Sequence, residues 1–222
     1  MATGPEPYPT ARGVESAIKD AARKATAADP SLNVNKRIEL EYFNRFLSRV
    51  FSEGQESGWV LKGGTGILAR VTSTRSTRDI DLYRQEHTLE QALKDLRRLA
   101  SIGLDDHFRF EYVRHAASIA TDTQPYADGC RVTFNVFIGT AAKGSLQVDL
   151  AVGVAMTDEA TTSEPVTALD LPRLISNPYR LYPVADQIAD KVCATMAAPR
   201  DGRRISSISW SSRSRSISTA AH

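Results

Sequence analysis

The run WVLKGGTGILARVTSTRSTRDIDL fills residues 59–82 and changes character three times. Trp59, Val60 and Leu61 form a short apolar run that predicts a buried strand. Lys62-Gly63-Gly64-Thr65-Gly66 breaks it, and Ile67, Leu68 and Val71 predict a short helix. Ile80 and Leu82 then alternate with Asp79, Asp81 and Tyr83, which predicts a second strand. Strand side chains alternate, so Asp79 and Asp81 project to one face while Ile80 and Leu82 enter the other.

Two carboxylates that close repel, and burying them is costly unless a cation lies between them. The pair therefore suits a hard divalent ion such as Mg2+. In Gln147-Val148-Asp149-Leu150-Ala151, the apolar Leu146, Val148 and Leu150 share a face and Asp149 takes the opposite one. If that strand lies beside the Asp79–Asp81 strand, three acids converge. Three acids can hold two Mg2+ ions and a triphosphate for in-line displacement at the α-phosphate. At the strand-to-helix turn, Gly63 and Gly64 let backbone N–H groups approach phosphate oxygens, and Thr65 offers a hydroxyl. Lys62, Arg75 and Arg78 supply positive charge nearby. Each element alone also has an ordinary reading: solvated strand carboxylates, a tight turn, a satisfied strand aspartate. Their order along the chain carries the weight.

Outward from this run, residues 1–12 hold Pro5, Pro7 and Pro9 and read as extended or disordered. A helix is predicted over 14–28, with Val14, Ile18, Ala21, Ala22 and Ala25 on one face and Asp29-Pro30 as its stop. A second runs over 34–53, with Phe43, Phe46, Leu47, Val50 and Phe51 as core and Gly54 as its C-cap. Thr88 and Gln91 make a capping box for a helix to residue 101, with Leu89, Ala92, Leu93, Leu96 and Leu99 inward. Phe108, Phe110 and Tyr112 alternate as a strand, and 115–130 reads as a loop. Alternation in Val132–Ile138 and Leu146–Val152 predicts an antiparallel hairpin with a longer loop containing Lys143-Gly144-Ser145. A polar stretch at 157–165, a short helix at 170–176 and a longer one at 184–197 follow. The chain thus divides into a tail (1–12), N-terminal helices (13–55), a core carrying the acids (56–156), a C-terminal helical part (157–199) and a Ser/Arg-rich end (200–222).

The 222 residues suffice for one full domain, and 41% hydrophobic with 24% charged is ordinary for a globular protein. The formal net charge of +2 is too mild to argue for nucleic-acid binding. Its source is local: residues 200–222 hold five arginines, eight serines and one aspartate, and the rest of the chain is net acidic. Arg70, Arg75 and Arg78, beside the acids, are then the candidates for an RNA-contacting patch. Cys130 and Cys193 are too far apart for metal-ligand spacing, and His87, His107, His115 and His222 are scattered, so neither a zinc site nor a disulfide framework is expected. A reducing, cytoplasmic setting follows as the simplest expectation. No apolar run approaches membrane-spanning length, and MATGPEPYPT does not read as a secretory signal.

The order of a strand, Gly-Gly-Thr, a short helix, Asp-x-Asp and a later strand aspartate resembles the nucleotidyltransferase superfamily that includes DNA polymerase β. Gly64-Thr65 stands where that superfamily has Gly-Ser. Residues 59–82, together with VNKRIELEYFNRFLSRVF (34–51) and YPVADQIADKVCA (182–194), resemble more specifically the AbiEii/AbiGii family. Its members are nucleotidyltransferase-like toxins of type IV toxin–antitoxin systems. The resemblance implies an α+β fold, a mixed twisted β-sheet flanked by N-terminal and C-terminal helices. It implies Mg2+ on Asp79, Asp81 and Asp149, and NTP phosphates against Gly63, Gly64, Thr65, Thr77 and Arg78. It places Lys191 beside the triphosphate as a catalytic lysine; by periodicity Lys191 borders the apolar stripe of its helix, where a solvated lysine is the plain alternative. It implies NMP transfer to an RNA acceptor, the tRNA 3′ end, with a cognate antitoxin acting genetically or by direct contact.

The family's lysine helix leads into a further helix with an acidic residue. Here SSISWSSRSRSISTAAH follows Gly202 without any acid or apolar helical face, and it reads as a frameshifted or truncated end. Two rivals therefore stand beside the RNA-directed enzyme. One is a nucleotidyltransferase acting on a small-molecule or protein hydroxyl, and the other is a protein that binds nucleotide or antitoxin without turnover.

Overall fold

The computed structural model describes residues 6–54, 57–68, 79–117, 128–153, 156–165 and 168–197. Two helices open the chain, α1 (Ala11–Ala28) and α2 (Val34–Val50). Each begins where a side chain takes up an otherwise unpaired helix N–H: Thr10 accepts from Gly13, and Asn33 accepts from Lys36. Then come β1 (Trp59–Lys62), α3 (Gly63–Leu68), β2 (Asp79–Arg84) and α4 (Leu89–Ala100), the last closed by the full Thr88–Gln91 capping box. The long strands β3 (Phe108–Ala117), β4 (Asp128–Ile138) and β5 (Ala141–Val152) follow. The short β6 (Thr161–Ser163), β7 (Tyr179–Leu181) and α5 (Val184–Ala197) complete the described fold.

The seven strands form one mixed sheet in the order β3-β4-β5-β2-β1-β7-β6. Pairing is antiparallel except for β2 with β5 and β1 with β7. One face carries the main core: Trp59, Leu61, Ile80, Leu82, Val132, Phe134, Val148 and Leu150 pack with the apolar stripes of α1, α2 and α4. The expected core residues of α2 (Phe43, Phe46, Leu47, Val50 and Phe51) are all buried in it. The opposite face is thinner, with Val60, Tyr83 and Tyr182 in a small cluster joined by Met156 and Ala160. The observed architecture is the expected α+β fold.

Several boundaries differ from the sequence reading. α1 starts at Ala11, and residues 6–10 are held in place: Arg173 donates to the carbonyls of Glu6 and Pro7, and His107 bonds the carbonyl of Tyr8. α2 ends at Val50 with Phe51 as its cap, while Gly54 turns beyond it at φ 75°. β3 and β4 take residues 115–117 and 128–130 from the expected loop, whose remainder, 118–127, lies outside the described residues. The β4–β5 hairpin closes at Gly139-Thr140, with Gly139 at φ 58°; the Lys143-Gly144-Ser145 stretch belongs to β5 and adjoins a register shift at Val136/Phe137. β6 lies within the polar stretch, and α5 has the expected bounds.

The predicted helix at 170–176 does not form. Pro172 interrupts the segment, Pro178 follows just beyond it, and side chains of α2 bond the backbone of Leu169 and Ile175. Arg45 donates to the carbonyl of Ile175 at 2.7 Å, and the Leu169 N–H reaches Glu41 at 3.4 Å. Asn177 donates in turn to the Ser48 carbonyl at 2.6 Å. This strap covers the polar side of α2, so Glu41, Asn44, Arg45 and Ser48 are buried along with its apolar stripe, and Arg49 is buried against residues 102–108. No described helix is long and apolar enough to cross a membrane.

Candidate active site

β2 places Ile80 and Leu82 in the core and turns Asp79 and Asp81 to the thinner face, both half-buried. β5 runs parallel beside it with Asp81 opposite Asp149 and Ile80 opposite Val148. The three predicted acids thus lie on adjacent strands and on one face. β1 lies on the other side of β2, with Lys62 opposite Asp81.

The glycines after β1 serve this cluster directly. Helix α3 begins at Gly63, so these residues form its first turn and do not precede it. Gly63 sits at φ 61°, a region that L side chains avoid, and a Cβ there would collide with the Asp81 carboxylate. The Gly64 N–H donates to that carboxylate. Thr65 is buried, and its hydroxyl donates to the Asp79 carbonyl at 2.8 Å. The Gly-Gly-Thr sequence therefore lets the turn press against β2.

Electrostatics follow from this crowding. Burial, then the charges of Asp79 and Asp149, push the Asp81 carboxyl up to about 6, while Lys191 and the Gly64 N–H oppose the rise. Lys191 is exposed on α5, near enough for its charge to act on Asp81. Helix α5 is anchored to the same face by polar contacts. Gln187 donates to the Gly63 carbonyl at 2.5 Å, and Asp190 pairs with Lys62 at 3.1 Å. The Lys62 ammonium also lies 4.1 Å from the Tyr182 ring centroid.

The structure thus brings together Asp79, Asp81, Asp149, Gly63, Gly64, Thr65 and the charge of Lys191. Thr77 and Arg78, and with them Arg70 and Arg75, lie outside the described residues. Sequence reasoning missed Arg131. It stands opposite Asp149 on β4 and grips it with two bonds of 2.6 Å, one from Nε and one from a terminal nitrogen. The same terminal nitrogen lies 3.4 Å from Asp79. Its signal was the hairpin register, which a tight turn at Gly139-Thr140 exposes and a longer loop conceals. Gln187 and Asp190 were missed as well, because only the docking of α5 brings them to β1.

The donor set fits a hard divalent ion: three carboxylates on one face, one of them pushed up by burial and then by the charge of the other two. As they stand, no three His, Cys, Asp or Glu side chains among the described residues are arranged to hold a metal. Both oxygens of Asp149 are turned to Arg131. A cavity of about 530 Å3 between α1 and residues 168–171 is lined by none of Asp79, Asp81 and Asp149.

The family model for the AbiEii nucleotidyl transferase toxin of type IV toxin–antitoxin systems matches residues 45–208. The chain belongs to this family. The AbiEii match spans Asp79, Asp81 and Asp149 and runs into the Ser/Arg-rich end. Among solved structures, MenT4, a nucleotidyltransferase toxin from Mycobacterium tuberculosis, is similar at 15% identity and a TM-score of 0.52. That alignment covers 79% of this chain and 57% of MenT4. JHP933 from Helicobacter pylori aligns at 14% identity and a TM-score of 0.44, over 71% of this chain and 56% of its own. The chain therefore spans little more than half the length of either structure. No curated protein matches it.

Proposed function

We propose that this AbiEii-family chain is an Mg2+-dependent toxin that transfers NMP from an NTP to an RNA acceptor, the tRNA 3′ end, and so blocks translation. The observation that carries this reading is the register of β2 on β5, which sets Asp79, Asp81 and Asp149 on one face of the sheet. These three residues would hold the metal, which when bound neutralises the triphosphate and activates the attacking hydroxyl. The chain's own groups divide the remaining work. Gly63 makes room for the Asp81 carboxylate, and the Gly64 N–H orients it. Thr65 ties the turn to β2 through its hydroxyl. By family membership Gly63, Gly64, Thr65, Thr77 and Arg78 would contact the nucleotide phosphates, the Gly64 N–H and the Thr65 hydroxyl on leaving Asp81 and the Asp79 carbonyl, and Lys191 would supply charge to the triphosphate. Family membership supports a cognate antitoxin as partner. The free thiols of Cys130 and Cys193 support a reducing, cytoplasmic setting.

Incubation of the full chain with Mg2+, labelled NTPs and total RNA tests this. Label is expected at tRNA 3′ ends, and Asp79→Ala is expected to abolish it. Absence of label from a folded wild-type chain overturns the proposal, and label on protein or small molecules moves it to another hydroxyl acceptor. The hold of Arg131 on both oxygens of Asp149 favours one second reading, a nucleotide or antitoxin binder without turnover. Calorimetric NTP binding with no product would select it.

A further inference from the structure

Arg131 lies within β4, where neighbouring strands flank it on both sides. Its guanidinium covers both oxygens of Asp149 and reaches across β5 toward Asp79 on β2. A single positive charge therefore sits between two of the three acids, in the space that a cation shared by those strands would take. The planar fork matches a carboxylate edge, so Asp149 has both oxygens committed to it. The side chain is 48% exposed, and those of Asp79 and Asp149 about a third, so water can re-solvate the guanidinium when it swings away. An ion pair this exposed is weak enough to be broken by a competing ligand.

We infer that Arg131 is a resident counter-cation of the acid cluster, which a divalent ion must displace from Asp149 and Asp79 in order to bind. The inference rests on the metal-site reading above. Arg131 holds the metal-free acids together by offsetting their repulsion, and it lowers the affinity of the site for a bare divalent ion. It is a positioning residue, acting through Asp149 and Asp79.

Calorimetric titration of the full chain with Mn2+, without nucleotide, tests this on wild type, Arg131→Gln and Arg131→Lys. Removing the competitor is expected to tighten Mn2+ binding about fivefold in Arg131→Gln. Arg131→Lys keeps the charge but loses the two-pronged grip, and it should fall between. Brace-only behaviour would lower thermal stability in Arg131→Gln without tightening Mn2+. Equal or weaker Mn2+ binding by Arg131→Gln, with measurable binding by wild type, overturns the counter-cation role and leaves the metal site standing. Absence of Mn2+ binding in all three overturns the metal site and this inference together. If Arg131→Gln does not fold, Arg131→Lys decides by the same comparison.

Discussion

Asp81 shows most clearly what the site costs the fold. Its carboxyl is held at about 6 by burial and by two like charges, against an ordinary value of 3.8. An acid whose folded value is raised destabilises the native state while ionised. That penalty is complete above about pH 6 and is relieved as pH falls toward the unfolded value. Asp81→Asn is therefore expected to raise the stability of the metal-free protein at pH 7.5 by about 1–3 kcal/mol. The gain should shrink between pH 6 and pH 4. Urea denaturation of both proteins in EDTA measures this. The difference between the two is the quantity to read, because Glu15, Glu53 and Asp95 have lowered values and lose stability over the same acid range. A variant no more stable than wild type at pH 7.5 would refute the prediction.

Among the elements, α2 depends most on buried charge. Arg49 donates to both oxygens of Asp106 at 2.6 and 3.0 Å, and also to the carbonyls of Ile102, Phe108 and Arg45. Both side chains are about 1% exposed. The bonds fasten α2 to the connection between α4 and β3, where Asp106 also accepts from the Phe108 N–H. Asp106→Ala leaves a buried guanidinium with no counter-charge and is expected to cost about 3–5 kcal/mol. Replacing both partners by apolar residues, Arg49→Met with Asp106→Leu, should recover part of that loss. Chemical denaturation of the single and double variants checks it, and a double variant worse than Asp106→Ala would contradict the account. Sequence periodicity placed the apolar stripe of α2 correctly. It could not place the 168–177 strap, because what covers a polar helix face depends on a segment far along the chain.

Across the whole molecule, the two sheet faces are unequal. Helices α1, α2 and α4 seal one face with a continuous apolar core, whereas α5 meets the acid face through Gln187, Asp190 and the Asp186–Thr157 contact. Its Val184, Ile188 and Val192 are each just over half exposed. Elements with few buried apolar contacts open first. Amide hydrogen exchange is expected to be faster in α5 than in α2, β4 and β5. Slowing of α5 to the rate of the core would contradict this division.

How much was readable follows the range of each interaction. Alternation in β2, β4 and β5, the Thr88 capping box and the stripes of α1 and α4 depend on residues a few positions apart. They were plain in the sequence, as were the three acids and the face each would take. The 170–176 segment misled for the opposite reason: its local pattern permitted a helix, and the donors and acceptors of α2 claimed its backbone. That β5 lies parallel to β2 with Asp149 level with Asp81, and that Arg131 arrives between acids of two strands, came from the folded chain alone. Strand order and register are set by burial of a shared core and by the closure of turns. The composition of any one strand records neither.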